Sequence, residues 1–419
     1  MSEDRLPFLR LVKCDSGRRE PGIMLFNVRP GGKDRDTVDA GWIIGIDRSG
    51  DVVFQLRLDA PTQDVRLHPN GNIFYSQTGA GLINEIDRSG RHLRRWHAAG
   101  KWRDKAPPTG SVAIDMARIH HTIDVLPNGN LLLLSNEPRR FEDWPGSDTD
   151  PDAPRETAVV VGDIVLEVAL SGKIERQWHI LDILDPYRIC YGSRRTTTVN
   201  RDIPNSNDWA HANCASYDGR DDSILVSLRT QDCIVKIDRA SGELKWILGA
   251  PENWRQPWSE KLLTPKGTLQ WQYHQHDCSV TPAGTILCFD NGNHRATPFD
   301  PPMLGAESYS RAVEFTIDED ARTVEQVWSY GDAASDRLFA CFQGGARRLP
   351  ETGNTFVTYG GVATMDGVPT ADNANGFGRA RLIEVSPKGE VLFDLWVDSS
   401  AQEHPISLSV FRAEHIPES

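Results

Sequence analysis

The amino-acid sequence predicts an all-β fold: a six-bladed β-propeller closed by pairing of its N- and C-terminal strands. Three observations predict it. A strand, a tight turn and a second strand ending in an aromatic recur six times along the chain. Turns of the Pro-Asn-Gly-Asn type, flanked by short apolar runs, precede most of these units, and His121, His211 and His276 take the same place in three successive copies. One four-strand unit cannot bury both faces of its sheet, so it must stack on neighbours, and six units meet that need by closing into a ring.

The elements follow in order from their turns. The first copy, Ile23 to Leu58, carries the turn Asp47-Arg48-Ser49-Gly50 leading to Phe54 but has no Pro-Asn-Gly-Asn hairpin of its own. The second has both, at Pro69 to Asn72 and at Asp87-Arg88-Ser89-Gly90 leading to Trp96. Pro127-Asn128-Gly129-Asn130 with Leu170-Ser171-Gly172 and Trp178 marks the third, and Tyr217 to Asp222 with Asp238 to Gly242 and Trp246 the fourth. Pro282-Ala283-Gly284-Thr285 with Ile317-Asp318 and Trp328, then Pro350 to Asn354 with Val385 to Gly389 and Trp396, complete the six. The turn glycines supply the positive φ that tight hairpins need. Because the first copy lacks an inner hairpin, the alternating tail Ile406-Ser407-Leu408-Ser409-Val410-Phe411 is expected to join it and close the ring.

At 419 residues, length alone would allow two or three domains, but repeats running from end to end predict one domain over 1–419. A net charge of −13 without any long Lys/Arg run excludes a nucleic-acid backbone as partner. No apolar run is long enough to span a bilayer, so no membrane partner is expected. The N-terminus, Met1-Ser2-Glu3-Asp4-Arg5-Leu6, has no signal-peptide core. Seven cysteines, an odd number without a CxxC pair, read as reduced thiols and lead to the expectation of a cytoplasmic protein. A homo-oligomer is compatible with these features.

Four long insertions, 137–156, 184–207, 250–271 and 294–309, fall between hairpins and are expected to lie as loops over one face. Within them, Trp144, Tyr187, Tyr191, Trp254, Trp258 and Trp271 offer flat apolar surface for a small aromatic ligand, or anchor the loops themselves.

A ring of repeats aims equivalent positions at one central point, so the three histidines are expected to share a site. His121 stands six residues before Pro127 and His276 six before Pro282; His211 stands six before Tyr217, which opens a turn three residues longer. Strand alternation puts Asn213 on the face of His211, and antiparallel return of the next strand brings Arg229 back to the histidine end. Aligning Ile286 with Ile224 places Asn291 in register with Arg229. His274 shares the face of His276 but lies further out, and Arg295 closes the segment from Asp290 as a further substrate-binding candidate. A planar guanidinium and an amide beside imidazoles make an oxyanion cradle. Three imidazoles around one point also suit a transition metal. Arg229 beside them, with no Asp or Glu at the aligned positions, opposes a dication, so no metal is expected. A Gly-rich phosphate loop ending in Lys-Ser/Thr is missing from the sequence, and no cofactor is expected.

At these residues the sequence resembles the arylsulfotransferase family, bacterial enzymes that move a sulfuryl group from one phenol to another without an adenosine-phosphosulfate donor. The resemblance runs from the Pro21-Gly22 region to the tail Phe411-Arg412-Ala413-Glu414. Its specific parts are His-x-Asn at His211 and Asn213, Arg229 eighteen residues after His211, and Gln275-His276. It implies a propeller whose transiently sulfated residue is His276, with His121, His211, Asn213 and Arg229 around the sulfuryl oxygens. The best-known members are exported and have a separate N-terminal domain and a disulfide, whereas this sequence starts almost directly at the expected propeller and is expected not to be exported.

Overall fold

Each Asp-x-Ser-Gly turn closes as its residues dictate. In Asp47-Arg48-Ser49-Gly50, the Asp47 carboxylate accepts from the backbone N–H groups of Ser49 and Asp51, at 2.8 and 2.9 Å, and Gly50 takes φ 90°. Asp87 repeats this with Ser89 and Arg91, and Gly90 takes φ 84°. A Cβ at such a glycine would be strained, so the turn type and hence the strand register are fixed locally.

The computed structural model describes residues 6–35, 37–197, 200–332 and 336–418, and within these the regular secondary structure is almost entirely β. Six sheets form. Sheet I holds Ile23–Pro30, Gly41–Ile46 and Val52–Leu58; sheet II holds Val65–Leu67, Ile73–Gln77, Leu82–Ile86, His92–Ala98 and Val112–Ile114. Sheet III has His120–Val125, Leu131–Trp144, Glu156–Val168, Ile174–His179 and Ser206–Asp208, and sheet IV has Ala212–Asp218, Ser223–Leu228, Cys233–Asp238 and Leu244–Gly249. Sheet V contains His276–Val280, Ile286–Asp290, Arg311–Asp318 and Thr323–Tyr330, joined by Thr264–Pro265. Sheet VI contains Gly345–Arg348, Thr355–Met365, Phe377–Val385 and Val391–Val397, joined by Val368–Pro369.

Burial grades across each sheet. Ile73–Gln77 and Leu82–Ile86 are buried at every position, whereas the outer strand Val52–Leu58 alternates between half-buried and exposed. Apolar layers lie between I and II, II and III, III and IV, IV and V, V and VI, and VI and I. The aromatic ending the second unit illustrates how these layers hold. Trp96 is fully buried, stacks on Phe74 at 5.5 Å between centroids, and donates its indole N–H to Leu170 O of the next unit at 2.9 Å. Truncating such a residue costs about 3–5 kcal/mol.

The chain ends cross over between the first and last sheets. Leu9–Cys14 adds an outer strand to sheet VI beside Val391–Val397, while Ala413–Ile416 pairs with Ile23–Phe26 of sheet I. Only Leu408–Ser409 of the expected tail strand 406–411 is extended, against Arg29–Pro30. Between the two short pairings, Phe411 N–H bonds the Asn27 amide oxygen at 2.8 Å, and Arg412 turns inward to Asp64, Thr122 and Asp277, which interrupts the ladder.

Segment 137–156, expected as a loop, begins as a strand: Leu131–Trp144 continues through 137–144, which pairs with the first part of Glu156–Val168, and 145–155 connects the two. Its residues alternate between half-buried and exposed from Glu137 to Phe141, and Arg139 bridges Glu137 and Asp182. Charges and Pro138 hid a period of two that the pairing partner makes use of. Positions 198 and 199 of the expected loop 184–207, and residues 1–5, lie outside the described residues. No helix among the described residues is long and apolar enough to cross a membrane. All seven cysteines are free thiols.

Candidate active site

The histidines reach a common point by different backbone routes. His121 sits in a bulge of sheet III: His120 pairs with Leu134 and Ile123 with Leu133, so two residues are extra and His121 takes φ 52°. His211 immediately precedes the first strand of sheet IV at φ 48°. His276 begins the first strand of sheet V opposite Phe289. The equal spacing to the turns in sequence therefore does not carry into equal pairing. In sheet IV, Tyr217 pairs with Ile224 as Val125 pairs with Leu131, which shifts its register by two residues relative to sheet III. Left-handed conformations at two non-glycine residues cost about 1–3 kcal/mol each and persist where the surroundings hold them for a purpose. Here they turn two rings inward: the centroids of His121 and His211 are 4.8 Å apart, and those of His121 and His276 are 6.5 Å apart.

Hydrogen-bond partners assign each tautomer. His120 Nε2 faces two acceptors, Ser135 O at 3.1 Å and Asp163 Oδ1 at 3.4 Å, so it carries the proton. Burial pushes His120 down to about 4, so the ring is neutral and its Nδ1 must accept from His121 Nδ1–H at 2.9 Å. That leaves a lone pair on His121 Nε2. For His276 the key is Asn291, whose amide nitrogen donates to Ala340 O and Gln343 O at 2.7 and 2.8 Å. Its oxygen can then only accept, from His276 Nδ1–H at 2.8 Å, and the lone pair on His276 Nε2 receives Gln343 N–H at 3.2 Å. Burial, reinforced by Arg229, holds His276 well below its usual value, and burial with His211 does the same for His121. His211 directs Nδ1 at Asp208 Oδ2, 2.5 Å away, and Thr197 Oγ1 donates to the same oxygen. Burial would raise Asp208, but His211, the Thr197 hydroxyl and His120 together outweigh it and keep the carboxyl below its ordinary range. All three rings are thus anchored through Nδ1, leaving Nε2 for chemistry.

Arg229 follows the second strand of sheet IV directly, and its N–H bonds His211 O at 3.3 Å. Arg229 is half-buried, and its Nη2 donates to Cys341 O at 3.3 Å. Asn291 holds the matching position after the second strand of sheet V, as the alignment of Ile224 with Ile286 requires.

Three other expected contributors are engaged elsewhere. Asn213 is fully buried in the bulge between Ala212 and Cys214, where alternation from His211 fails, and its amide donates to Gln275 O at 2.7 Å while its oxygen has no partner. It steadies the backbone next to His276 and is closed to a ligand. Arg295 is paired to Asp290 at 3.0 Å, donates to Tyr309 O and lies 3.8 Å over the Tyr309 ring, so it braces segment 294–309. His274 forms its own couple with Asp232 at 2.9 Å and meets His294 edge-on at 5.2 Å; His294 in turn lies 5.0 Å from Tyr191. Burial pushes Asp232 up to about 7 and His294 down to about 3.

Most of the loop aromatics are anchors: the indoles of Trp144, Trp254 and Trp258 donate to Pro186 O, Ala250 O and Ile183 O. A cavity of about 430 Å³ lies among these loops, lined by Tyr187, Arg188, Arg255 and Phe299 among others, and contains none of the histidines. Sequence reading missed Asp208, Asp232, His120, Gln343 and His294. Asp208 is three residues before His211 and could have been weighed as its partner; Gln343 acts through its backbone and leaves no side-chain signal. Among the described residues no group of three or more His, Cys, Asp or Glu side chains has metal-holding geometry.

A family model described as Arylsulfotransferase (ASST) matches residues 10–406. The arylsulfate sulfotransferase AssT of Escherichia coli O6:H1 is 31% identical over 253 residues, which take in 51% of this chain and 40% of that protein. The protein of the same name from Lelliottia amnigena is 32% identical over 212 residues, 41% of this chain and 35% of its own length. The matched region thus spans less than half the length of these curated relatives. A crystal structure of a protein of unknown function from Bacteroides caccae aligns at a TM-score of 0.47 and 15% identity, covering 93% of this chain and 99% of its own.

Proposed function

Since the chain belongs to the arylsulfotransferase family, we propose that it transfers a sulfuryl group from an aryl sulfate to a phenol through a sulfohistidine at His276. The six sheets, each sharing an apolar layer with the next and the last with the first, are the blades of a closed propeller around the histidines.

In the first half-reaction the Nε2 lone pair of His276 attacks sulfur and the bond from sulfur to the aryl oxygen breaks. His211, oriented by Asp208, delivers a proton to the departing phenolate. Positive charge that builds on the His276 ring is eased by its Nδ1–H bond to the Asn291 amide oxygen. Gln343 N–H, now on Nε2, is placed to move to a sulfuryl oxygen as the N–S bond forms, and Arg229 adds a guanidinium beside it. In the second half-reaction His211 takes the proton of an acceptor phenol, whose oxygen attacks sulfur and releases His276, giving ping-pong kinetics.

The observation that carries this reading is the set of imidazoles from three sheets, each anchored through Nδ1, next to a guanidinium that has no carboxylate partner among the described residues. Incubation with a chromogenic aryl sulfate, with and without a phenol, tests it. Acceptor-stimulated release of the chromogenic phenol together with a sulfated acceptor is expected; no release under any acceptor would refute it.

A further inference from the structure

Sheet I supplies a side chain that the transfer chemistry above leaves unused. Arg29 lies near the end of Ile23–Pro30 and, like Arg229, is only partly covered. Its side-chain partners are two neutral amides. Nη1 donates to Gln63 Oε1 at 3.4 Å, and the surroundings of Gln343 orient that amide so that its oxygen accepts from Arg29 Nη2 and Nε at 2.6 and 3.2 Å, its nitrogen turning to Ser409 Oγ. Neither Arg29 nor Arg229 forms an ion pair among the described residues, whereas the buried arginines 19, 66, 118, 311 and 412 do; buried Arg188, without an ion pair among the described residues, bonds Gln231 and lies over the Trp254 ring. Burial and the neighbouring Arg35 push Arg29 down to about 9, and burial with Arg195 pushes Arg229 down to about 10.

The two guanidiniums converge on one stretch of backbone. Arg229 holds Cys341 O, Arg29 holds the Gln343 side chain, and Gln343 N–H meets His276 Nε2. Cys341 and Gln343 are two residues apart, so their Cα atoms are separated by no more than about 7 Å. Arg29 also comes from the right side of its strand. Asn27, two residues earlier and hence on the same face, bonds Phe411 N–H, and the Phe411 ring lies 6.0 Å from His121. The site is therefore bordered by two cations from sheets I and IV, with neutral histidines between them, while its carboxylates Asp208 and Asp232 are turned to histidine Nδ1 atoms. Burying a charge without a counter-ion is costly, and a ligand of opposite charge is what repays it.

We propose that Arg29 is a second anion-binding guanidinium of this site, gripping the sulfate group of the substrate from the sheet I side while Arg229 grips it from sheet IV. This deepens the sulfuryl-transfer reading and rests on it, but is tested by binding alone. Wild type, Arg29→Gln and Arg29→Lys are titrated with sodium sulfate against sodium chloride of equal ionic strength, by calorimetry and by thermal melting. Wild type is expected to bind sulfate, Arg29→Gln to bind it at least about tenfold more weakly, and Arg29→Lys to fall between them. Without sulfate, Arg29→Gln should melt no lower than wild type, since it removes a buried unpaired charge. A structural brace on Gln343 would give the reverse, a lower melting temperature with sulfate affinity unchanged. That outcome, or a wild type that binds no sulfate while turning over aryl sulfate, would overturn the role of Arg29 and leave the transfer reaction standing. Should Arg29→Gln not fold, an Arg29→Lys variant that folds and binds sulfate as tightly as wild type would overturn it equally.

Discussion

At the scale of single residues, reactivity here depends on which imidazole nitrogen is left free. Asp208 fixes His211 with Nδ1–H toward the carboxylate. Asp208→Asn keeps the shape but can offer its NH₂ to Nδ1, which reverses the tautomer and removes the charge that supports an imidazolium. A fall in kcat of roughly 10²–10⁴-fold with KM little changed is expected in steady-state assays. The nucleophile carries its own pH signature. Burial holds His276 well below the ordinary 6.5, so its reactive neutral form persists as pH falls. The linkage sign follows: a histidine kept neutral in the fold but protonated when unfolded contributes stability above pH 6.5 that is lost on acidification. Single-turnover sulfation measured against pH should therefore reach half its maximum well below 6.5; a midpoint at or above 6.5 would assign the reaction to a more exposed ring.

Elements supply the positions. The residue that follows the second strand of a sheet points to the histidine end, and sheets IV and V put Arg229 and Asn291 there. Four residues beyond Asn291 the chain has turned back, and Arg295 locks onto Asp290 together with Arg311. The two arginines should respond oppositely. Arg229→Lys keeps the charge but loses the fork, with a rate loss of roughly 10²-fold and little change in melting. Arg295→Ala should leave kcat within about threefold yet lower unfolding free energy by up to about 3 kcal/mol in a denaturant titration, because it opens a buried ion pair of which Arg311 retains half. Equal loss of rate in both would place Arg295 at the substrate after all. The turns and the aromatic strand ends were legible because Asp, Ser, Gly and Trp act locally at those places. His121 and His276 were legible through their spacing to Pro127 and Pro282. The bulge that seals Asn213 and the pairing of 137–144 were not, since each depends on a partner well separated along the chain, and the Arg295–Asp290 pair was not, since it depends on the chain turning back after Asn291.

On the scale of the whole molecule, the chain's end holds the centre. Arg412, from the segment between the two tail strands, bonds Asp64 of the approach to sheet II, Thr122 of sheet III and Asp277 beside His276. These carboxylates lie deep inside, and Asp277 also pairs with Arg347. Arg412→Gln should leave buried charge uncompensated and cost about 3–5 kcal/mol in chemical denaturation; a change below about 1 kcal/mol would show that the tail is dispensable to the fold. Composition could not reveal this hub, because an arginine in a polar tail reads as surface. What the hub and the apolar layers achieve together is to bring His121, His211 and His276 from three sheets to one point. The most direct measurement is brief exposure of the protein to an aryl sulfate without acceptor, followed by intact-mass analysis and peptide mapping under alkaline conditions that preserve an acid-labile N–S bond. One added sulfuryl group on His276, absent in His276→Ala and discharged by a phenol, is the predicted result; turnover without any adduct, or full activity in His276→Ala, would contradict it.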